Sequence, residues 1–181
     1  MFFIKQNDDI FEEIHTMKLY QIRSKQMLPI SLKEAWDFLS DPKNLKTITP
    51  EHMGFHILSG AERPMFSGQV IQYTVKPFPY YTIKWVTEIT HVVPREYFVD
   101  EQRFGPYALW HHKHFLKEVP NGVEMEDVVD YKLPWGILGQ LAHTFIIKRQ
   151  LKEIFAFRAQ KLKTLFGSMQ GKEYALIINS I

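Results

Sequence analysis

The chain has 181 residues, with 22 basic and 20 acidic side chains and a formal net charge of +2, so it fits one globular domain of ordinary size. It contains no cysteine, which excludes a disulfide framework, a thiolate metal site and a cysteine nucleophile. Because lysine and arginine are scattered instead of concentrated on one face, the sequence does not predict nucleic-acid binding.

The first 17 residues fit no single element. Ile10, Phe11 and Ile14 are spaced as on one face of a helix, which favours a short amphipathic helix on the surface. The segment lacks the basic start and uninterrupted apolar run of a signal peptide, and no window approaches the roughly 18 apolar residues of a membrane span. We therefore expect a soluble, cytoplasmic protein without a membrane span.

A strand and two short helices are predicted next. Residues 18–28 alternate apolar and polar side chains, as in a strand with one buried face. Ser31 and Glu34 then form a capping-box pattern that opens a helix, and this helix stops before Pro42. A second short helical turn is predicted over 43–48.

Six strands separated by short turns are predicted to follow. Their ranges are 55–60, 68–77, 81–93, 95–104, 108–119 and 122–133. Proline and glycine separate them, and connections this short require neighbouring strands to pair in antiparallel fashion. The sequence therefore predicts an antiparallel meander.

A long amphipathic helix is predicted over 138–166, because apolar residues recur there at three- and four-residue steps. The recurring residues are Leu141, Phe145, Ile147, Leu151, Ile154, Phe155, Leu162 and Leu165. Gly167 supplies a helix stop, and the tail 168–181 has no predicted structure or role.

These elements together predict an α+β fold. A curved antiparallel sheet of six or seven strands wraps around the long C-terminal helix, and the two short helices close one end. A cavity remains where sheet and helix do not touch. The chain 1–181 is expected to be a single domain, with its core at about 18–166.

Several short motifs occur in a fixed order between residues 18 and 166. They are Leu28-Pro29-Ile30-Ser31 with Trp36 and Phe38, Asp41-Pro42, Leu45, Thr49-Pro50, Gly68-Gln69, residues 85–89, 98–107 and 110–115, Asp127, Tyr131, Pro134, Gly136, Leu138-Gly139, Arg149, Phe155 and Arg158. Their order and spacing resemble the START-like, or SRPBCC, superfamily, which has the helix-grip fold and includes polyketide cyclases and lipid-transfer proteins. The resemblance implies a ligand cavity. Because that superfamily contains carriers, sensors and enzymes, it indicates the fold better than the function.

Polar side chains in the middle of the sheet form the candidate site. On the strand 108–119, Trp110, His112 and His114 point to the same face. Because a large ring is more often turned inward, we predict that this row faces the cavity, together with Gln102 or Arg103 of the neighbouring strand. The alternative is that the row lies on the convex, solvent-facing side in cross-strand pairs.

The predicted ligand is a hydrophobic small molecule, lipid-, polyketide- or sterol-like, with a polar group. Aromatic rings bury its body, and polar side chains orient its polar end. The predicted ligand-binding residues are Trp85, Phe98, Gln102, Arg103, Phe104, Trp110, His112, His114 and Tyr131. No cofactor is predicted, and no oligomeric state.

Other uses of the histidines stay open. Two histidines at i and i+2 on a strand can bind a metal ion, with Asp127, Glu101 or His91 as a third ligand, but hydrogen-bonded histidines are commoner, so no metal is predicted. His112 or His114 beside Asp127 or Glu101 is also a candidate acid–base pair of a cyclase- or dehydratase-like enzyme. Since no nucleophile motif, phosphate loop or dinucleotide fingerprint occurs, binding is preferred to catalysis. A further alternative is an interaction module whose partner docks on the sheet edge or the tail.

Overall fold

The computed structural model describes residues 18–169 and 174–181. The helix expected near Ile10 therefore lies outside the described residues. The described strands are β1 Tyr20–Leu28, β2 His56–Ser59, β3 Gln69–Phe78, β4 Tyr81–Val93, β5 Tyr97–Phe104, β6 Leu109–Val119, β7 Gly122–Lys132 and β8 Ala175–Ser180. The described helices are α1 Leu32–Leu39, α2 Gly136–Ala142 and α3 Lys148–Phe166, with a π-helical stretch His143–Ile147 joining α2 to α3 and two 3-10 turns at Pro42–Lys46 and Glu51–Met53.

The eight described strands form one antiparallel sheet in the order β2-β3-β4-β5-β6-β7-β1-β8. Strands β2 to β7 pair with their neighbours in sequence, which confirms the predicted meander. β8 lies in the tail that had no predicted structure, and it pairs with β1 so that Ile178 is opposite Ile22. The sheet therefore has one strand more than the six or seven expected, and the α+β fold class is confirmed.

Local sequence signals account for the elements after β1. The Ser31 hydroxyl accepts a hydrogen bond from the Glu34 amide at 3.2 Å, and the Glu34 carboxylate accepts one from the Ser31 amide at 2.9 Å. This reciprocal capping box starts α1 as predicted. The second helical turn is a 3-10 turn, and the Asp41 carboxylate caps it by accepting from the Lys43 amide at 3.0 Å.

α3 packs its apolar face on the concave side of the sheet. Leu151 and Phe155 pack with Tyr20, Ile22 and Val129, all of them almost fully buried. One turn after Ala159, the same helix face buries Leu162 against β7 and α1. Burying each such side chain contributes about 1.5–3 kcal/mol, so these contacts hold the helix across the sheet.

The chain before α3 does not pack as its periodicity suggested. Leu141 is 52% exposed and Phe145 is 75% exposed, although both were expected on the buried face. The opposite side, with Gly139 and His143, is buried instead, and the His143 ring stacks on Tyr20 at 3.6 Å. Periodicity identifies which residues share a helix face, but it does not determine which face meets the sheet.

Among the described residues, no helix combines the length and the apolar character needed to cross a bilayer.

Candidate ligand cavity and its polar floor

A cavity of about 210 Å³ lies between the concave face of the sheet and α3. Its wall comes from β2 to β6, from α3, and from the end of α1 with the segment that follows it. Most of the side chains in the wall are apolar. They include Leu45, Ile71, Val75, Ile83, Trp85, Trp110, Ile154 and Phe155. The gap expected between sheet and helix is therefore present.

Strand alternation places the candidate row of β6 in this wall. Trp110, His112 and His114 all line the cavity, and the two histidines are 4% and 8% exposed. The strand pairs His112 with Val129 and His114 with Asp127 of β7, both of which are buried. The alternative in which the row lies on the convex side is therefore wrong.

Two further candidates also line the cavity, and one lies beneath it. Trp85 and Phe98 are in the wall, where Phe98 stacks on the His114 ring at 4.1 Å. Tyr131 is fully buried in the core, and its hydroxyl is 2.7 Å from His143 Nε2. Tyr131 is not among the lining residues, so it supports the cavity floor from behind.

The three candidates at the end of β5 do not reach the cavity. Gln102 Nε2 donates to the Tyr107 carbonyl at 2.6 Å, Arg103 pairs with Glu88 at 2.6 Å, and Phe104 is 71% exposed. Gln102 and Phe104 pair with consecutive residues of β4, so Arg103 is the extra residue of a β-bulge. The bulge turns Phe104 away from the face that alternation had predicted for it. Arg103 lies on the outer face with Glu101, and the Gln102 side chain is bonded to Tyr107. The expected position of all three in the cavity is wrong.

Five side chains form an ionic cluster on the cavity floor. His114 bridges two carboxylates, with Nε2 2.8 Å from Asp100 Oδ2 and Nδ1 2.8 Å from Asp127 Oδ1. His112 Nε2 is 3.1 Å from the same Asp127 oxygen, and its Nδ1 is 3.5 Å from Asp100 Oδ2. Arg158 of α3 brings Nη1 to 3.4 Å from Asp127 Oδ1. All of these side chains except Asp127 line the cavity, and Asp127 is fully buried behind it.

Burial and mutual contacts set the protonation states of the cluster. Burial, together with the charge of His114, lowers the pKa of His112 to about 4. Burial also lowers the pKa of His114, but its hydrogen bonds to the two aspartates outweigh burial and raise it. Burial raises the pKa of Asp127, yet Arg158 and the histidine hydrogen bonds hold it well below its usual value. For Asp100 too, burial is outweighed by the two histidines, which lower its pKa.

At neutral pH the cluster is therefore close to electrical balance. Asp100 and Asp127 carry two negative charges, while Arg158 and a protonated His114 carry two positive charges. His114 uses both of its N–H groups as donors to carboxylates, which only an imidazolium can do. His112 is neutral at this pH.

The sequence identified part of this cluster. Of the three acidic or histidine partners considered, Asp127 reaches the histidines. Glu101 lies next to His111 at 3.1 Å on the other face of the sheet, and His91 is exposed. Asp100 was missed as a site residue, although strand register pairs it directly with His112.

Arg158 was also missed as a site residue. It had been noted only among the motifs, because its position depends on where α3 crosses the sheet. One arginine among several basic residues of an amphipathic helix carries no signal for such a partner. Knowledge of the helix packing is needed to place it against β7.

Solved structures share this fold at low sequence identity. Protein CV1439 from Chromobacterium violaceum matches with a TM-score of 0.62 and 16% identity over 82% of this chain and 99% of that chain. Ara h 8.0201 matches with a TM-score of 0.53 and 13% identity over 81% of this chain and 99% of its own. DynU16, described as a putative protein in the dynemicin biosynthetic locus, matches with a TM-score of 0.51 and 18% identity over 81% of this chain and 48% of its own.

These likenesses show the fold alone. They are consistent with a helix-grip architecture. No family model matches the sequence, and comparison with curated proteins gives no match. Function has to be argued from the cavity and its residues.

Proposed function

We propose that the protein binds an apolar small molecule with one polar group in the cavity between the sheet and α3, as a START-like carrier or sensor. The observation that supports the proposal is an apolar wall above a small cluster of buried polar groups. This combination is typical of ligand pockets, in which apolar contact supplies affinity and a few polar groups set orientation. The residues proposed to hold the ligand are Trp85, Phe98, Trp110, His112, His114, Asp100 and Arg158.

The size of the cavity limits the ligand. A volume of about 210 Å³ exceeds the roughly 150 Å³ of an engineered protein cavity that holds benzene, so one or two rings or a short acyl chain fit. Burying roughly 200 Å² of such a ligand at about 25 cal/mol per Å² supplies about 5 kcal/mol of gross driving force. Loss of translational freedom offsets much of this, so the polar contacts decide the affinity.

The floor favours a neutral polar group on the ligand. The four ionised groups of the cluster already balance in charge, and an added buried charge without a partner is costly. A ligand hydroxyl group can donate to the Asp100 carboxylate or to the unprotonated nitrogen of His112, and a carbonyl group can accept from Arg158, which lines the cavity. A carboxylate or ammonium group fits less well.

Two variants of equal bulk test the proposal with the full-length protein. We expect wild-type protein to bind 2-naphthol, a neutral fluorescent probe with two rings and one hydroxyl group, at one site per chain. Ile83 lies in the cavity wall, so Ile83→Trp fills part of the cavity and weakens binding at least about tenfold, or 1.4 kcal/mol. Ile137 is 64% exposed outside the cavity, so Ile137→Trp leaves binding unchanged.

Native mass spectrometry with organic extraction of the purified protein identifies any natural ligand. A bound compound that is lost on denaturation supports the proposal. Absence of probe binding, or equal binding by the two tryptophan variants, contradicts it.

The buried acid–base cluster favours an enzyme as a second candidate. His114 can donate a proton and Asp100 can accept one next to a bound ligand, as a cyclase or dehydratase requires. The compound recovered from the protein is incubated with fresh wild-type protein and with His114→Gln. An isomer, or a product lacking one water, formed only by wild-type protein supports catalysis, whereas an unchanged compound supports binding alone.

A further inference from the structure

We propose that the cavity floor is a binding site for a divalent transition-metal ion of the zinc class, with Asp100, His112 and His114 as its protein ligands. This inference goes beyond the proposed function, because ion binding is measured without any organic ligand. Three features support the site: the distances among the three ligand atoms, the Asp127 carboxylate that holds the histidines, and the position of all three side chains in the cavity wall.

The three side chains bring one ligand atom each close together. Asp100 Oδ2 lies 3.5 Å from His112 Nδ1 and 2.8 Å from His114 Nε2. Each residue offers one ligand atom within 4.8 Å of those of the other two. A zinc ion with ligands at about 2.0–2.2 Å separates its ligand atoms by roughly 3–3.5 Å, so small side-chain rotations are enough to hold it.

Asp127 holds the nitrogens that the ion does not use. Its Oδ1 is 3.1 Å from His112 Nε2 and 2.8 Å from His114 Nδ1, while Arg158 supports the same carboxylate at 3.4 Å. Histidines that bind metal ions almost always donate their other N–H to such a carboxylate, which fixes tautomer and ring orientation. The lone pairs of His112 Nδ1 and His114 Nε2 are thereby left on the side of Asp100. Without an ion, a proton on His114 Nε2 occupies this position, and the ion releases it to solvent.

Charge and access agree with this assignment. Once the ion has displaced the proton from His114, the two carboxylates and the single guanidinium leave one negative charge in a buried place, which the cation offsets. Two imidazoles and one carboxylate are ligands that zinc prefers, and three protein ligands leave a coordination position open. Since Asp100, His112 and His114 all line the cavity, that position faces the space where a water molecule or a ligand oxygen can bind.

The experiment uses untagged, full-length protein that has been freed of metal with a chelator. We expect calorimetric titration to show one Zn²⁺ per chain, and added Zn²⁺ to raise the thermal midpoint. Asp100→Asn and His114→Gln remove ligands and abolish this binding. Asp127→Asn removes only the positioning residue, so it weakens binding by about 10- to 100-fold while the visible spectrum of bound Co²⁺ keeps its form.

The matched control is His91→Gln. His91 is an exposed histidine of β4 whose ring contacts the neighbouring Thr90 hydroxyl, and its removal leaves Zn²⁺ affinity unchanged. Wild-type protein that binds no stoichiometric Zn²⁺ overturns the proposal, as does binding that survives His114→Gln. If the variants do not fold, X-ray absorption of the wild-type Zn²⁺ complex decides: two imidazole nitrogens in the first shell support the site, and their absence overturns it.

Discussion

The pair formed by Arg158 and Asp127 is expected to be a large source of stability. Asp127 is fully buried, and the Arg158 guanidinium is the lone arginine or lysine group within ion-pair distance of it in the described residues. Arg158→Met keeps an unbranched apolar stem of similar length but removes the charge. Asp127 is then left in the interior with only histidine donors.

The cost can be estimated from the geometry. Removing one partner of a buried ion pair costs about 3–5 kcal/mol. The distance of 3.4 Å and the remaining hydrogen bonds from His112 and His114 favour the lower end. We expect the free energy of unfolding to fall by about 3 kcal/mol, which for a domain of this size lowers the melting temperature by about 6–12 °C.

Urea unfolding followed by circular dichroism measures the effect, with Arg149→Met as the matched control. Arg149 lies on the same helix and pairs with Glu153 at 2.9 Å, but its side chain is 83% exposed. Its removal is expected to change stability by less than about 0.5 kcal/mol, as for other exposed pairs. Equal losses in the two variants refute the reasoning, because loss of the buried guanidinium should cost far more than loss of the exposed one.

Three further predictions follow from burial, titration and strand pairing. Phe145→Ser is expected to change the free energy of unfolding by less than about 0.5 kcal/mol. Phe155→Ala, at a position 3% exposed, is expected to cost about 3–5 kcal/mol, and similar losses in urea would contradict the packing described. Burial and the charges of two nearby lysines lower the pKa of His143 to about 4, so the unfolded chain binds a proton that the folded chain does not. The free energy of unfolding should therefore fall as pH drops from 7 to 4, and His143→Gln should make this fall smaller by on the order of 1 kcal/mol. An unchanged fall refutes the assignment. Ending the chain after Gly167 removes β8 and leaves β1 as an unprotected sheet edge, so light scattering should show more self-association than for the full chain, whereas an unchanged state of association contradicts this.

Most of the fold could be predicted because its signals are local. Alternating side chains and turn residues located β4 at 81–93, the range that the structure has, and a capping box located the start of α1. β8 could not be predicted in this way, because its pairing with β1 joins segments far apart in the chain. The exposed face of α2 escaped prediction for a related reason, since periodicity carries no information about which side meets the sheet.

The site was predictable only where alternation is regular. Trp110 indicated the inward face of β6, and both histidines follow from it by period two. The bulge at Arg103 reverses that logic within one residue, and no residue type marks it in the sequence. The choice of Asp100 over other acidic residues depends on the register between β5 and β6, which one sequence does not determine.

The contact between Arg158 and Asp127 also links the contents of the cavity to the mobility of the helix. Apolar side chains hold α3 by contacts without a preferred direction, whereas this ion pair is a directional contact with β7. The same Asp127 oxygen contacts both histidines of the floor. An occupant that shifts these histidines therefore also changes the ion pair that holds the middle of α3. Amide hydrogen exchange around Arg158 should therefore slow when the floor is occupied, which makes the helix backbone a reporter of binding several ångströms away.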